Sequence, residues 1–257
     1  MYFSVICPTY NSEKFICKTL ESILNQSYNN YEVIFSDDGS KDNTLKILSD
    51  FQLLFKKKNI EIKIIKNSHG GPGYARNLAI KLAKYDWISF IDSDDLWRED
   101  KLEKVSNFIK KNQNFNCILH RQHYIKLNNQ IKFHNFDKYF NPLFPAHNQI
   151  FKSNFLAMSA ITIKKELINH VGGFNENYQN SQDYDLWLRI GDTFKIHILK
   201  EYLGSNCERE GNITSRKYSV RIKNVIKILN ENKKKVNSKL FYYRMFRILI
   251  SLEWFKN

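Results

Sequence analysis

Trp87-Ile88-Ser89-Phe90-Ile91-Asp92-Ser93-Asp94-Asp95-Leu96 joins an apolar run directly to three carboxylates. The run reads as a buried strand, and the carboxylates stand where that strand should emerge into a loop. Side chains alternate faces along a strand, so Asp92 and Asp94 fall on one side if the extended conformation persists, and Asp95 turns away. Two carboxylates on one side can hold a hard divalent cation that keeps positions open for phosphate oxygens. The competing reading is a solvated turn, since Asp and Ser are ordinary turn residues. What decides between them is whether other segments converge on the same place.

The residues before this stretch repeat its plan. Tyr2 to Cys7 is a short apolar strand ended by Pro8, and Ile16, Leu20, Ile23 and Leu24 recur at helical spacing with Ser12 as the expected N-cap. Tyr31 to Phe35 is a second strand running into Ser36-Asp37-Asp38-Gly39-Ser40; a helix from Asn43 to about Phe55 and a third strand from Ile60 to Ile65 follow. The glycine-rich Asn67-Ser68-His69-Gly70-Gly71-Pro72-Gly73 then opens a helix over residues 74–83. Glycines at such a place let backbone approach a ligand, and a helix N-terminus favours anions. Alternating strands and helices predict a doubly wound, mostly parallel α/β sheet whose ligands lie beyond the carboxyl ends of its strands. Pro8-Thr9-Tyr10, Asp37-Asp38 and Asp92-Ser93-Asp94 all occupy such ends.

Beyond the carboxylates a helix is expected over residues 100–111, then a hairpin of Cys117–Leu127 and Gln130–Phe133 turning at Asn128-Asn129. Asp137 to Phe155, with two prolines and little periodicity, reads as a long loop suited to acceptor recognition or a lid. Ala160–Ile163 reads as a strand, Lys164–Val171 as a short helix, residues 182–190 as a helix capped by Ser181, and Lys195–Leu199 as a strand. Two further helical stretches, from Lys217 and from Leu240, flank a break at Asn230–Ser238.

Charge separates the chain into parts. The 257 residues carry a formal net charge of +14, yet from Arg216 onward twelve basic residues face two acidic ones, which leaves residues 1–215 at about +4. Hydrophobic residues at 42% exclude wholesale disorder. Four scattered cysteines without Cys-x-x-Cys spacing argue against a disulfide framework or a zinc site and for reduced thiols. No run approaches the roughly 20 apolar residues of a membrane span, and the N-terminus lacks a basic leader. A cytoplasmic protein, peripheral on the membrane at most, is the expectation.

Six segments together resemble the family 2 inverting glycosyltransferases, enzymes of the nucleotide-diphospho-sugar transferase fold called GT-A. They are Ser4–Asn11, Ser36–Ser40 with Asp42-Asn43-Thr44, Gly73–Asn77, Ile91–Asp95, Val171–Glu176 and Gln182–Arg189, in the family's order. The resemblance covers roughly residues 3–215. It implies a catalytic domain over residues 1–215, with a nucleotide-binding half (1–111) and an acceptor-binding half (112–215), followed by a basic helical extension (216–257). It further implies that Pro8, Thr9, Tyr10, Asp38, Arg76, Asp92 and Ser93 bind the donor nucleotide. Tyr10 would stack on the base, Asp38 would accept from a uracil or thymine N–H, and Arg76 would approach the diphosphate or ribose. Asp94, with Asp92, would hold Mn2+ or Mg2+, which offsets charge on the departing nucleoside diphosphate. Asp183 would be the general base, placed on the sugar face opposite the leaving group. A first-turn helix carboxylate is its structural alternative. Asp185 is expected in a structural or acceptor-binding role, and Trp187 either in the acceptor site or in the core. No role is evident for His69, His170 or His197.

Two departures from the family pattern stand out. Gln182 replaces the usual Glu before the base, and in Asn206-Cys207-Glu208-Arg209-Glu210-Gly211-Asn212-Ile213-Thr214 the usual histidine position is taken by Arg209, a candidate cation for the diphosphate. The expected function is therefore metal-dependent sugar transfer from a nucleotide-sugar donor, UDP-linked by preference, to a glycan or lipid-linked glycan acceptor. An inactive nucleotide- or glycan-binding relative and a sugar nucleotidyltransferase are the alternatives. The basic, aromatic tail fits an anionic membrane surface or packing on the catalytic domain or a second subunit. Nucleic acid is not an expected partner, because no nucleic-acid motif accompanies the charge.

Overall fold

A computed structural model describes residues 1–209 and 218–254. The first half follows the expected alternation: β1 (Phe3–Thr9), α1 (Ile16–Leu24), β2 (Tyr31–Asp37), α2 (Thr44–Lys57), β3 (Glu61–Lys66), α3 (Pro72–Leu82) and β4 (Trp87–Phe90). Then come β5 (Leu96–Trp97), α4 (Lys101–Lys111), β6 (Cys117–Ile125), β7 (Ile131–His134), α5 (Ala146–Lys152), β8 (Ile161–Lys164), α6 (Lys165–His170), α7 (Gln182–Ile190) and β9 (Ile196–Cys207). All strands join one sheet of order β3-β2-β1-β4-β8-β6-β9-β5, with β7 paired to β6. Pairing is parallel across β3-β2-β1-β4. It becomes mixed beyond β4, where β8 runs antiparallel to both β4 and β6 while β6 and β9 are parallel.

Alternation along β1 sets the two layers. Phe3, Val5 and Cys7 enter one apolar cluster with Ile16 and Leu20 of α1, Leu48 and Phe55 of α2 and Leu102 of α4. Ile6 points the other way, into a cluster with Ala79 of α3, Ile150 of α5 and Trp187 of α7. The central strands are thus buried on both faces, as a doubly wound sheet requires. Their carboxyl ends carry the residues of interest.

Several local expectations are corrected. Ser12 does not cap α1: the helix starts at Ile16 with Phe15 at the N-cap position, and the Ser12 hydroxyl instead meets Ser93 Oγ at 2.8 Å. Ser181 holds the N-cap position of α7 but in a left-handed conformation (φ 59°), and its hydroxyl donates to Asn180 Oδ1 rather than to a helix N–H. Residues 137–155 are not loop throughout. They contain α5, whose Ile150 and Phe151 are buried, so hydrophobic packing stabilises a helix that the two nearby prolines disguise. The strand expected at 195–199 continues to Cys207, because β6 pairs with it in parallel at both ends, over Ile196–Leu199 and Gly204–Cys207, with a shift of register between them.

α8 (Tyr218–Glu231) and α9 (Ser238–Trp254) form the C-terminal pair. Ile222, Ile228 and Leu229 of α8, with Phe241 and Ile248 of α9, belong to the same apolar cluster as α5 and α7. The extension therefore packs on the sheet's helical layer through one face. α9 keeps a second apolar face outside: Tyr242, Phe246 and Leu249, at i, i+4 and i+7, are exposed by 62, 61 and 55%. No helix among the described residues is long and apolar enough to cross a membrane.

Candidate active site

The extended conformation of β4 stops at Phe90, so the carboxylates are presented by a turn and not by a continuing strand. Asp95 N–H donates to Asp92 O at 3.1 Å, closing that turn. It is braced from behind by the buried Thr19 of α1, whose hydroxyl is shared between Ser93 O and Asp95 O at 2.9 Å each. From the opposite side, Asp92 N–H donates to Ser159 Oγ at 3.0 Å. The three carboxylates face different partners.

Asp92 pairs with Arg76 Nη2 at 2.6 Å, and the arginine is buried with its guanidinium 5.6 Å from the Phe174 ring centre. Asp94 pairs with Arg209 through Nε, and Arg209 lies over Phe15 at 4.2 Å. Burial, then the neighbouring Asp92 charge, raises the Asp94 pKa above the ordinary carboxylate range, against the pull of Arg209. Asp95 does turn away, into the protein, where it accepts from Ser159 Oγ, from Asn206 Nδ2 at 3.1 Å and from Cys207 N–H at 3.0 Å. Burial first, then Asp94 and Asp92, pushes its pKa well up.

Next to this turn lies the edge made by β1, β2 and the glycine loop. Asp38, 4% exposed, accepts Gly70 N–H and Gly71 N–H at 2.8 Å, one on each oxygen, and His69 Nδ1 lies 3.0 Å from Oδ2. Gly71 has φ 91°, a region L side chains rarely enter, and a Cβ there would fall 2.7 Å from Gln179 Oε1. The half-exposed Tyr10 ring rests on the His69 imidazole at 4.5 Å. Pro8 lies in β1 beside Thr9, whose buried hydroxyl donates to Asp37 Oδ2 at 2.9 Å, so Thr9 acts on the second strand. Ser93 is likewise buried against Ser12.

Asp183 lies in the first turn of α7, near enough to Asp92 for their charges to interact. Burial raises its pKa, while a 3.2 Å bond from Asn154 Nδ2, the Tyr184 N–H and the Arg76 charge lower it and the Asp92 charge raises it. Asp183 thus lies within electrostatic reach of the Arg76–Asp92 pair. Gln182 is buried and its Oε1 has no hydrogen-bond partner among the described residues. Asp185 is structural: it holds Arg189 at 2.7 Å, and Arg189 in turn donates to Val171 O and Gly173 O. Trp187 is fully buried, with Nε1 donating to Leu156 O at 3.2 Å and Phe194 packed beside it. Its indole belongs to the core, the second of the two placements expected for it, and not to an acceptor surface.

Sequence reasoning missed five participants: His69, Phe15, Asn154, Ser159 and Asn206. Each works through a contact with a residue far away in the chain. His69 and Asn206 stood inside quoted segments, and nothing in either segment distinguishes a side chain that makes these contacts from a surface one.

The chemistry of the donor set suits a hard divalent cation. Among the described residues no group of three or more His, Cys, Asp or Glu side chains could hold a metal by themselves. Asp92 and Asp94 supply carboxylate oxygens from two residues, so a cation there would complete its shell with phosphate oxygens and water, the mode in which Mg2+ is commonly held.

Residues 4–172 match the family model described as glycosyl transferase family 2. The chain belongs to glycosyl transferase family 2. Among relatives of this glycosyltransferase is the Escherichia coli protein named UDP-Glc:alpha-D-GlcNAc-diphosphoundecaprenol beta-1,3-glucosyltransferase WfgD. It is 32% identical over 189 residues, covering 73% of this chain and 68% of that one. A crystal structure of Staphylococcus aureus TarS residues 1–349 in complex with UDP-GlcNAc superposes with a TM-score of 0.70 at 25% identity, over 97% of this chain and 66% of that one. The mannosyltransferase PcManGT of Pyrobaculum calidifontis, solved with GDP-Man and Mn2+, shares the fold at a TM-score of 0.71 and 16% identity, over 98% of this chain and 71% of that one. The transferase spans only 34% and 37% of the length of two other curated relatives it matches.

Proposed function

We propose that this glycosyltransferase moves a sugar, with inversion, from a UDP-linked donor to a hydroxyl of a glycan or lipid-linked glycan. The observation that carries the reading is Asp183, a half-buried carboxylate in the first turn of α7 within electrostatic reach of the Arg76–Asp92 pair, where desolvation raises its pKa and strengthens it as a base. The donor's base would rest on Tyr10, and Asp38 would present its remaining lone pairs to the base N–H. Arg76 and Arg209 would bring positive charge to the diphosphate. A divalent cation held by Asp92 and Asp94 would neutralise diphosphate charge. The donors named for WfgD and for TarS, UDP-Glc and UDP-GlcNAc, support a UDP donor.

Asp183 would accept the proton of the acceptor hydroxyl while that oxygen forms its bond to the anomeric carbon. The bond from that carbon to the diphosphate oxygen breaks with its electron pair, and UDP departs. Residues 1–215 would form the catalytic domain, with 216–257 an extension whose helices α8 and α9 add to its helical layer. The test is transfer and UDP binding by Asp183→Asn. Transfer should fall about 10²–10⁴-fold, as loss of a general base commonly does, while UDP affinity stays unchanged. Undiminished transfer would overturn the base assignment, and a wild type that binds no uridine nucleotide would overturn the donor reading.

A second reading concerns the exposed face of α9. Tyr242, Phe246 and Leu249 are exposed on α9, Lys233 Nζ lies 6.0 Å from the Tyr242 ring centre and Lys234 and Lys235 are exposed beside it in sequence, a combination suited to an anionic lipid surface on the cytoplasmic side. Replacing all three apolar residues by Ser should abolish sedimentation with vesicles containing phosphatidylglycerol and leave the melting temperature intact. If vesicle binding persists while a dimer dissociates, the face belongs to a second copy of the chain.

A further inference from the structure

Arg209 stands where a cation would be expected to stand. Its Nε takes Asp94 Oδ2, one of the oxygens a divalent ion would use, and its guanidinium is backed by Phe15 at 4.2 Å. The approach is built from below. Asn206 and Cys207 are tied to Asp95, the immediate neighbour of Asp94, and Glu208 N–H donates to Ile125 O at 2.8 Å. Carboxylate turn and arginine are therefore anchored to one another through Asp95. Arg76 differs, being buried at 4% exposure and bound to Asp92, where it is a fixed part of the wall.

We infer that Arg209 is a resident counter-cation which competes with the divalent ion for Asp94 and, when donor and ion bind together, moves its charge from Asp94 to the diphosphate. The inference rests on the donor reading above and goes beyond it. A guanidinium on Asp94 Oδ2 occupies a lone pair that a metal ion could use, and like charges side by side repel. Arg209 thus weakens binding of the free ion while strengthening binding and departure of a diphosphate, to which a guanidinium is well matched. The same residue then acts in opposite directions on two ligands. A merely structural residue would weaken both.

The experiment uses the full chain and Mn2+ alone, followed by electron paramagnetic resonance of the free ion, with UDP binding and transfer measured in parallel. In Arg209→Met, Mn2+ affinity without nucleotide should rise about tenfold, a change that corresponds to about 1.4 kcal/mol. UDP affinity in saturating Mn2+ and transfer should both fall. Phe15→Leu, which removes the ring behind the guanidinium and leaves the charge in place, should shift Mn2+ affinity in the same direction by less. Arg209→Lys should lie between wild type and Met. Unchanged or weaker Mn2+ binding in Arg209→Met, with UDP binding still measurable, would overturn the inference and leave the donor reading standing. Absence of UDP binding in the wild type would instead remove the donor reading on which it rests.

Discussion

The two sides of the cleft are built differently. On the side proposed to hold the donor, five carboxylates are braced: Asp37 by Thr9 and Ser40, Asp38 by two backbone N–H groups, Asp92 by Arg76, Asp94 by Arg209, and Asp95 by Ser159, Asn206 and Cys207. On the other side, Asp183 takes one side-chain bond among the described residues, a 3.2 Å contact from Asn154, beside the Tyr184 N–H. Bracing suits a surface that must hold fixed charge against a diphosphate without reorganising. A carboxylate that must gain and lose a proton is better left with few donors, since each donor favours its charged form and weakens it as a base.

The largest effect in this contrast is expected at Asp95, which touches no proposed ligand. Asp95→Ala would strand three buried or half-buried donors, and loss of such a partner should cost about 3 kcal/mol of stability. Denaturant unfolding would measure it. If stability fell by less than about 1 kcal/mol, the donor side would not be the braced structure inferred from its contacts. The pH dependence has a definite sign. The folded-state pKa of Asp95 is raised well above its ordinary value. The group's contribution to stability is therefore present at pH below that ordinary value and is lost as pH rises through the folded one. Asp95→Asn should flatten this part of the stability profile.

The same contrast explains what could be read from the chain. The side proposed for the donor is made by successive strand ends, each within a few residues of the strand that delivers it, so apolar runs followed by Pro8, Asp37-Asp38 and Asp92-Ser93-Asp94 suffice to place these residues at or just beyond the strands' carboxyl ends. Periodicity also placed α3 and β4 to within a few residues. The acceptor side depends on pairings across long separations. Nothing local to Asn154 points to Asp183, and nothing local to Trp187 tells a substrate-facing indole from one sealed by Leu156 and Phe194. Ser12 was misread for a related reason: its sequence position suits a cap, but a buried hydroxyl of Ser93, eighty-one positions away, binds it. Tertiary competition for a small polar side chain decides such cases.

The smallest effect is expected at Asn154, and its value lies in its sign. The bond from Asn154 Nδ2 lowers the pKa of Asp183 against the larger upward push of burial. Asn154→Ala leaves burial and removes the opposing bond, so the Asp183 pKa should rise further. A general base works only when deprotonated, which means the acidic limb of the kcat profile should move to higher pH. Near that limb the variant should be slower than wild type, and on the alkaline plateau the two should agree within about threefold. Stability should change by less than about 1 kcal/mol, because the contact is long and exposed. A limb that stays in place, or moves to lower pH, would mean that the amide does not bias the proton on Asp183. The sparse side of the cleft would then owe its chemistry to burial alone.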